Sequence, residues 1–455
     1  MKATIKLMVV ALALATTGSA MAQATPEELK RLGTSLTPWG ADKAGNVDGG
    51  IPAYTGGLQG APASFDEKSR RFVDPFASEK PVLSIDAKNM AQYADKLTPG
   101  TQELMKRWPD YRIDVYPSHR NFYMTDVRAA AAVKNASNPE CKTTADGVGL
   151  RGCWGGTPFP VPKTGYEVMW NSILRQESYS ELRSQSWLVD SSGQKTPVNE
   201  SIAKPDYPYY DVDQPAYDGR GKYYYRLRND TLGPARDAGQ KTLIWWPLEF
   251  DQMDQRIWNY TTGQRRTRLA PEFTYDTPSA SMAGAMYYDE LSGFSGRMDR
   301  FDFTIVGKKE MYVPYNQYKL DWTGTDALGP KHVNPEDARF ELHRVWIVKA
   351  TRKEGKRHVA AERTFYIDED SWALLSTEGK DDSGKIFRVV YLKSINNFKD
   401  GGSIIAGAGT FYDLTKGQYI VVNLNAPGRG YIKPGHVVPS DAAYRSESMA
   451  GSGVR

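Results

Sequence analysis

The chain has 455 residues, with 58 basic and 54 acidic side chains and a formal charge of +4. That balance gives no reason to expect nucleic acid as a partner. With two cysteines and no Cys-x-x-Cys, redox catalysis is not indicated, and ~430 residues beyond a leader suffice for two or three domains or one large β-structure.

Lys2 and Lys6, the apolar run 7–15 and the small residues of Ala20-Met21-Ala22 read as a secretory signal peptide over 1–22, cleaved near Ala22. Without Lys2 and Lys6 the charge is +2, from 56 basic and 54 acidic side chains. The expected compartment is the periplasm. No cysteine stands directly after the cleavage site, so lipidation there is not expected, and no other stretch approaches the ~20 apolar residues of a membrane helix.

The region to about 190 is rich in Pro and Gly, with short helices between irregular stretches. Thr25-Pro26-Glu27-Glu28 is an N-cap signal followed by Pro and acids, and Gly33 ends the helix. Glycines crowd 40–60, which reads as an extended arm. Asp86 can cap a helix carrying Met90, Tyr93, Ala94 and Leu97 on one stripe. Thr98-Pro99 opens another, with Leu104, Met105 and Trp108 apolar, and 126–134 is a third. Cys141 and Cys153, in an oxidising compartment, are expected to pair as a structural staple worth about 2–3 kcal/mol on the chain-entropy model. Thr164 can start a short helix through Trp170 to Leu174.

From about 220 the texture turns to strands. Residues 223–227 and 242–246 are β-rich. Residues 256–260 alternate, reach the turn Thr262-Gly263 and return through 265–269, a hairpin. Residues 278–288 break the pattern, with Ser279, Met282, Ala285 and Met286 at helical spacing. Strands resume at 300–306 and 310–315. The stretches 340–350, 364–367, 372–377 and 386–392, with tight turns at 368–371 and 380–384, make an antiparallel meander. The end, 441–455, reads as a flexible tail.

Traces of catalysis are faint. His119 stands in a loop, where a histidine is more often surface or packing. His332, His343, His358 and His436 lack metal-ligand spacing, so no metal ligands are named and no cofactor is expected. No nucleophile elbow, zincin or dinucleotide motif is present. Asp368/Asp370 and Asp381-Asp382 sit at turns, where Asp is expected for turn chemistry. The expectation is therefore a protein without enzymatic activity.

Two features stand out. The first is Arg256, Arg265, Arg266 and Arg268 on one hairpin with Trp258 and Tyr260. Its structural reading is cation–π stacking; its functional reading is a basic rim for an anionic headgroup or an acidic partner. The second is the Met282, Met286, Tyr287, Tyr288 stripe, read as core packing or as a lid over an adaptable apolar site. The 27 Tyr and 11 Trp suit wide clefts and ordinary sheets alike.

At Arg256-x-Trp258-x-Tyr260, Arg265-Arg266, the run 307–316 and Tyr366-Ile367-Asp368-Glu369-Asp370-Ser371-Trp372, the chain resembles a proteobacterial periplasmic family of uncharacterised function, labelled outer-membrane lipoprotein-sorting-like. Leu36-Thr37-Pro38-Trp39-Gly40-Ala41, the run 49–58 and 165–171 fit it too. That family resembles the lipoprotein carriers and receptors that share a half-open antiparallel β-barrel. The resemblance implies a mainly β fold with covering helices. The irregular and helical region 23–190 would pack on a half-barrel core at 191–440, interrupted by a helix near 278–288. It implies a soluble periplasmic carrier of a lipid or other hydrophobic ligand, serving a resistance-nodulation-division type exporter and an outer-membrane partner without itself spanning the membrane. The expected ligand residues are Trp258, Tyr260, Met282, Met286 and Phe303, with Arg265 and Arg266 at the rim. The alternative is a carbohydrate-binding or carbohydrate-processing protein that uses the Tyr-rich segment 207–225.

Overall fold

The computed structural model describes residues 24–451 except 70, 178–179, 211–221, 271–274, 405–407, 426–429 and 435–439. The signal peptide, the centre of the Tyr-rich segment and residues 452–455 lie outside the described residues.

The first part of the chain carries α1 (Pro26–Arg31), β1 (Leu83–Asp86), α2 (Pro99–Arg107), β2 (Arg112–Val115), α3 (Asp126–Ser137), β3 (Lys142–Thr143), β4 (Leu150–Arg151) and α4 (Gly165–Ile173). Six strands follow: β5 (Ser180–Val189), β6 (Lys195–Asp206), β7 (Tyr223–Gly233), β8 (Lys241–Pro247), β9 (Arg256–Thr261) and β10 (Arg266–Leu269). Then come β11 (Phe301–Pro314), α5 (Tyr318–Thr323), β12 (Arg339–Arg352), β13 (Glu362–Asp368), β14 (Leu374–Lys380) and β15 (Ile386–Leu392). The chain ends with β16 (Ile395–Asn396), β17 (Ser403–Ile404), β18 (Gly409–Asp413), β19 (Gln418–Leu424), β20 (Gly430–Pro434) and α6 (Ser448–Gly451).

Sixteen of these strands form one sheet. Its run is β11-β12-β13-β14-β15-β18-β19-β5-β6-β7-β8-β9-β10, antiparallel throughout, with β20 also on β5 and the β1–β2 pair joining the start of β12 through a parallel contact. The end strands β10 and β11 do not pair with each other, so the sheet is a half-open barrel rather than a closed one. One apolar cluster gathers Ile244, Trp246 and Ile257 from one end of the sheet with Val345, Phe365 and Val390 from the other; only a sheet curved around a shared interior brings these together.

Alternation separates the two faces. On β15, Val390 and Leu392 join the interior cluster, while Val389 and Tyr391 pack outward with Leu104 and Met105 of α2. Thr98 caps α2 by accepting from the Thr101 N–H at 3.0 Å, the stabilising role expected of a threonine before Pro at the first helical position. The interior is filled by α4. Thr164 and Glu167 form a capping box, and Val168, Met169 and Trp170 are fully buried in the concave cluster, each worth roughly 1.5–3 kcal/mol of burial. Trp170 also donates its Nε1–H to the Gly147 carbonyl at 3.0 Å. Cys141 and Cys153 are disulfide-bonded, with Cα atoms 4.5 Å apart.

Two expected helices are not α-helices. Near 90, Asp86 ends β1 and accepts from the Lys88 N–H, and Asn89 accepts from the Asp86 N–H. These side-chain bonds favour a turn over a helix start, and a 3₁₀ segment, Met90–Lys96, results. Near 280 the chain makes two 3₁₀ turns, Ala280–Met282 and Tyr288–Gly293. Left-handed backbone at Ala283 (φ 51°), Gly284 (φ 70°) and Ser292 (φ 53°) stops helical propagation. Residues 441–451, read from sequence as part of a flexible tail, form a 3₁₀ turn and α6, with Tyr444 and Met449 fully buried.

Candidate functional site

A cavity of about 360 Å³ lies on the concave face between β7–β9 and the 275–297 segment. Leu227 and Asn229 of β7, Thr242, Ile244 and Trp246 of β8, and Ile257 of β9 form its floor. Tyr275, Ser279, Met282, Met286 and Leu291 close it from above. A narrower cavity of about 40 Å³ adjoins it, sharing Trp246, Leu291 and Ser295 and running beneath Tyr207, Tyr209, Tyr210 and Tyr224. The larger volume falls within the ~300–1,000 Å³ of small-molecule sites.

The roof is held by the other half of the sheet. The Ser279 N–H donates to the Met286 carbonyl at 2.8 Å, closing the loop on itself. Arg363 of β13 reaches the Asp289 carboxylate (2.9 Å) and the Gly293 carbonyl (3.0 Å), and His358 Nε2 lies 2.9 Å from the same Asp289 oxygen. Arg388 of β15 pairs with Glu290 (3.0 Å) and donates to the Ala285 carbonyl (3.1 Å). Burial pushes the Asp289 carboxyl upward, but Arg363 and His358 outweigh it and hold the group below its ordinary range. Burial of Glu290 is stronger than the pull of Arg388, and its pKa is raised. At the cavity mouth Arg297 and Asp254 neutralise each other at 2.5 Å.

The residues expected to meet a ligand are not all in one place. Met282 and Met286 line the cavity. Trp258 and Tyr260 project from the opposite face of β9, where they pack with Trp245, Leu243, Tyr444 and Met449; on that strand Ile257 is the cavity residue. Phe303 is buried on β11 among Phe294, Phe365 and Tyr166, with ring centroids 5.2–6.2 Å apart. Arg265 occupies the hairpin turn with left-handed backbone, φ 48°, and is exposed, as is Arg266. The floor residues Leu227, Ile244 and Trp246 carry the signal of two-residue alternation in 223–229 and 241–247, which sorts them onto one face once the strand register is known. Of the Tyr-rich segment, Tyr209, Tyr210 and Tyr224 are buried in the concave cluster and Tyr223 is buried against Trp245 on the outer face, so these rings do not form an open platform.

A second constellation is a buried ion-pair network. Glu341 of β12 accepts from Arg339 Nε (2.6 Å), the Asn316 amide (2.9 Å) and the His119 backbone N–H (2.8 Å), and its Oε2 lies 3.0 Å from His343 Nε2. His343 stacks on Tyr315 at 3.8 Å, and its Nδ1 lies 4.0 Å from Asp368. Asp368 takes the Ser371 N–H (2.9 Å) and hydroxyl (2.5 Å). One ligand atom from each of His343, Asp368 and Asp370 fits within 4.8 Å. Both Asp370 oxygens are taken by Arg120, and His343 Nε2 by Glu341, so charges compensate within the protein. Burial pulls the His343 imidazole down, but Glu341, Asp368 and Asp370 outweigh it and raise its pKa. Burial and the neighbouring Asp370 push Asp368 up to about 6. The pair thus favours keeping a proton, and none of the cavities above includes His343, Asp368 or Asp370 in its lining.

Among the described residues no helix is long and apolar enough to cross a membrane. The sequence matches, over residues 84–450, the family described as Protein of unknown function (DUF1329). An uncharacterized protein of Pseudomonas aeruginosa is 36% identical over 445 residues, covering 96% of this chain and 95% of that one. Among solved structures, the chain is similar to a DUF1329 family protein from Desulfovibrio piger, with a TM-score of 0.42 and 14% identity over 63% of this chain and 97% of that chain. It is also similar to a LolA superfamily protein from Nitrosomonas europaea, with a TM-score of 0.37 and 7% identity over 63% and 99%. By its match to the family over residues 84–450, most of its length, the chain belongs to the DUF1329 family.

Proposed function

We propose that this protein binds an apolar ligand in the cavity between the β7–β9 face and the 275–297 roof, and works in the periplasm as a carrier or accessory protein for an envelope exporter. The observation that carries this reading is the cavity itself: a floor of Leu227, Ile244, Trp246 and Ile257 facing Met282 and Met286, about 360 Å³ in volume. Burying an acyl chain there gains ~0.8 kcal/mol per CH₂, and methionine lets such a site adapt to chains of differing shape. Binding of this kind needs no reacting group.

The test is native mass spectrometry of the protein expressed with its own leader and purified without detergent, followed by titration of the product with the fluorescent apolar probe N-phenyl-1-naphthylamine. A bound acyl or other apolar molecule near 1:1, or saturable probe binding weakened at least tenfold by Met282→Trp, is the expected result. A folded protein that carries no apolar molecule and binds no probe overturns the proposal.

A further inference from the structure

The cavity floor continues beyond its lining residues, and its chemistry changes in an ordered way. Directly paired residues of antiparallel strands share a face. Leu227, Ile244 and Ile257 are opposite one another on β7, β8 and β9 and form an apolar row. Two residues along, Asn229, Thr242 and Asn259 form a polar row, with the Thr242 hydroxyl donating to Asn259 Oδ1 at 3.1 Å. That row continues onto β10, where Asn259 is opposite Arg268, and the next pair is Thr261 with Arg266. The concave face therefore grades from aliphatic, through neutral polar, to cationic. Arg268 lies two strand spacings from Thr242, about 10 Å.

Arg266 and Arg268 are exposed, and among the described residues their side chains make no ion pair. Arg297 at the cavity mouth is spent on Asp254. Charges on an edge strand also discourage strand addition, but that role is indifferent to which face they occupy. Here both arginines stand on the cavity face, whereas the opposite face of β10 carries Thr267 and Leu269.

We propose that the ligand is an amphiphile with an anionic head. Its apolar part occupies the cavity, and its carboxylate or phosphate sits on Arg266 and Arg268, crossing the Asn229–Thr242–Asn259 row. This rests on the cavity reading and adds the class of ligand. A guanidinium pairs with either oxyanion in a bidentate manner, so the shared chemistry is the anion.

The experiment compares three probes with the same twelve-carbon chain, laurate, dodecyl phosphate and dodecanol, by calorimetric titration at low salt. The wild type, Arg266→Ala/Arg268→Ala and Met282→Trp are measured side by side. The expected result is that the wild type binds one or both anions at least tenfold more tightly than dodecanol, and the stronger anion identifies the head group. In the double arginine variant this preference falls to within about twofold, with dodecanol affinity unchanged. Equal affinity for all three probes in the wild type, or an anion preference that survives in the double variant, overturns the inference and leaves the cavity reading standing. If no probe binds, or Met282→Trp leaves dodecanol binding unchanged, the cavity reading fails and this inference with it.

Discussion

Arg120 and Asp370, 250 residues apart, form a bidentate pair with Nε and Nη2 at 2.9 and 2.6 Å from the two carboxylate oxygens, and both side chains are almost wholly buried. Arg120 also donates to the Asp42 carbonyl at 2.6 Å, so one guanidinium fastens the N-terminal arm to the turn after β13. Removing one partner strands a buried charge, at a cost of about 3–5 kcal/mol. Arg120→Ala is expected to lose that much in urea denaturation. The paired change Arg120→Met/Asp370→Leu is expected to lose less, since it leaves no charge behind. A loss under about 1 kcal/mol for the single variant would contradict the clamp.

Glu378 gives a pH dependence of defined sign. It lies under the start of α2, accepting from the Gly100 N–H at 2.6 Å, yet burial dominates and pushes its pKa up to about 7 from an ordinary 4.5. The folded state therefore binds the proton more tightly than the unfolded chain. The contribution of this group to stability is complete below about pH 4.5 and is lost as pH rises through 7. Glu378→Gln removes the dependence. The stability of the variant relative to wild type is expected to rise between pH 4 and 8 by on the order of 3 kcal/mol. A difference that stays flat across this range, in parallel denaturation curves, would show that the carboxyl titrates normally.

The Cys141–Cys153 bridge closes a loop with a sequence separation of 12. On the chain-entropy model it stabilises by about 2–3 kcal/mol. Melting with and without reductant, and of Cys141→Ser/Cys153→Ser, is expected to show a lower Tm by several degrees for both. Equal melting temperatures would remove the bridge from the account of stability.

The C-terminal segment covers the outer face of β8 and β9. Tyr444 and Met449 bury against Leu243, Trp245, Trp258 and Tyr260; Lys241 donates to the Met449 carbonyl (2.8 Å), and Arg228 to the Ala443 carbonyl (3.1 Å). Truncation after residue 440 is expected to cost about 3–5 kcal/mol from the two apolar side chains. It should also raise binding of an anilinonaphthalene dye to the uncovered aromatic patch. Unchanged stability and dye binding would count against this cover.

The local parts of this architecture were open to reading in the sequence. Thr25, Thr98 and Thr164 cap the helices their neighbours announce, and the 256–269 hairpin and the 340–392 meander follow from alternation and turn residues. Strands β5 and β6 were harder to read. Ser180–Val189 carries four consecutive polar residues, Arg183-Ser184-Gln185-Ser186, in its middle, and Lys195–Asp206 carries two prolines. The sidedness of the hairpin was ambiguous for a related reason: alternation groups Trp258 with Tyr260, but only the pairing of Ile244 with Ile257 tells which group faces inward. The Arg120–Glu341–His343–Asp368 network left no local trace. Its members come from three separated stretches, around 120, on β12 and around 368, and Asp368 does serve the Ser371 turn that its position in the sequence announces.

The order of the sheet has a consequence for how the molecule is completed. Strands β5–β10 and β11–β15 are joined by β18 and β19, with Val189 opposite Tyr419 and Leu392 opposite Gly409. A polypeptide leaving the ribosome amino end first will have produced both halves of the barrel before the keystone between them exists. Until residues 409–424 emerge, β5 and β15 are open borders, each able to recruit a foreign strand. A message truncated just before this point would lack the two strands whose hydrogen bonds connect β5 to β15.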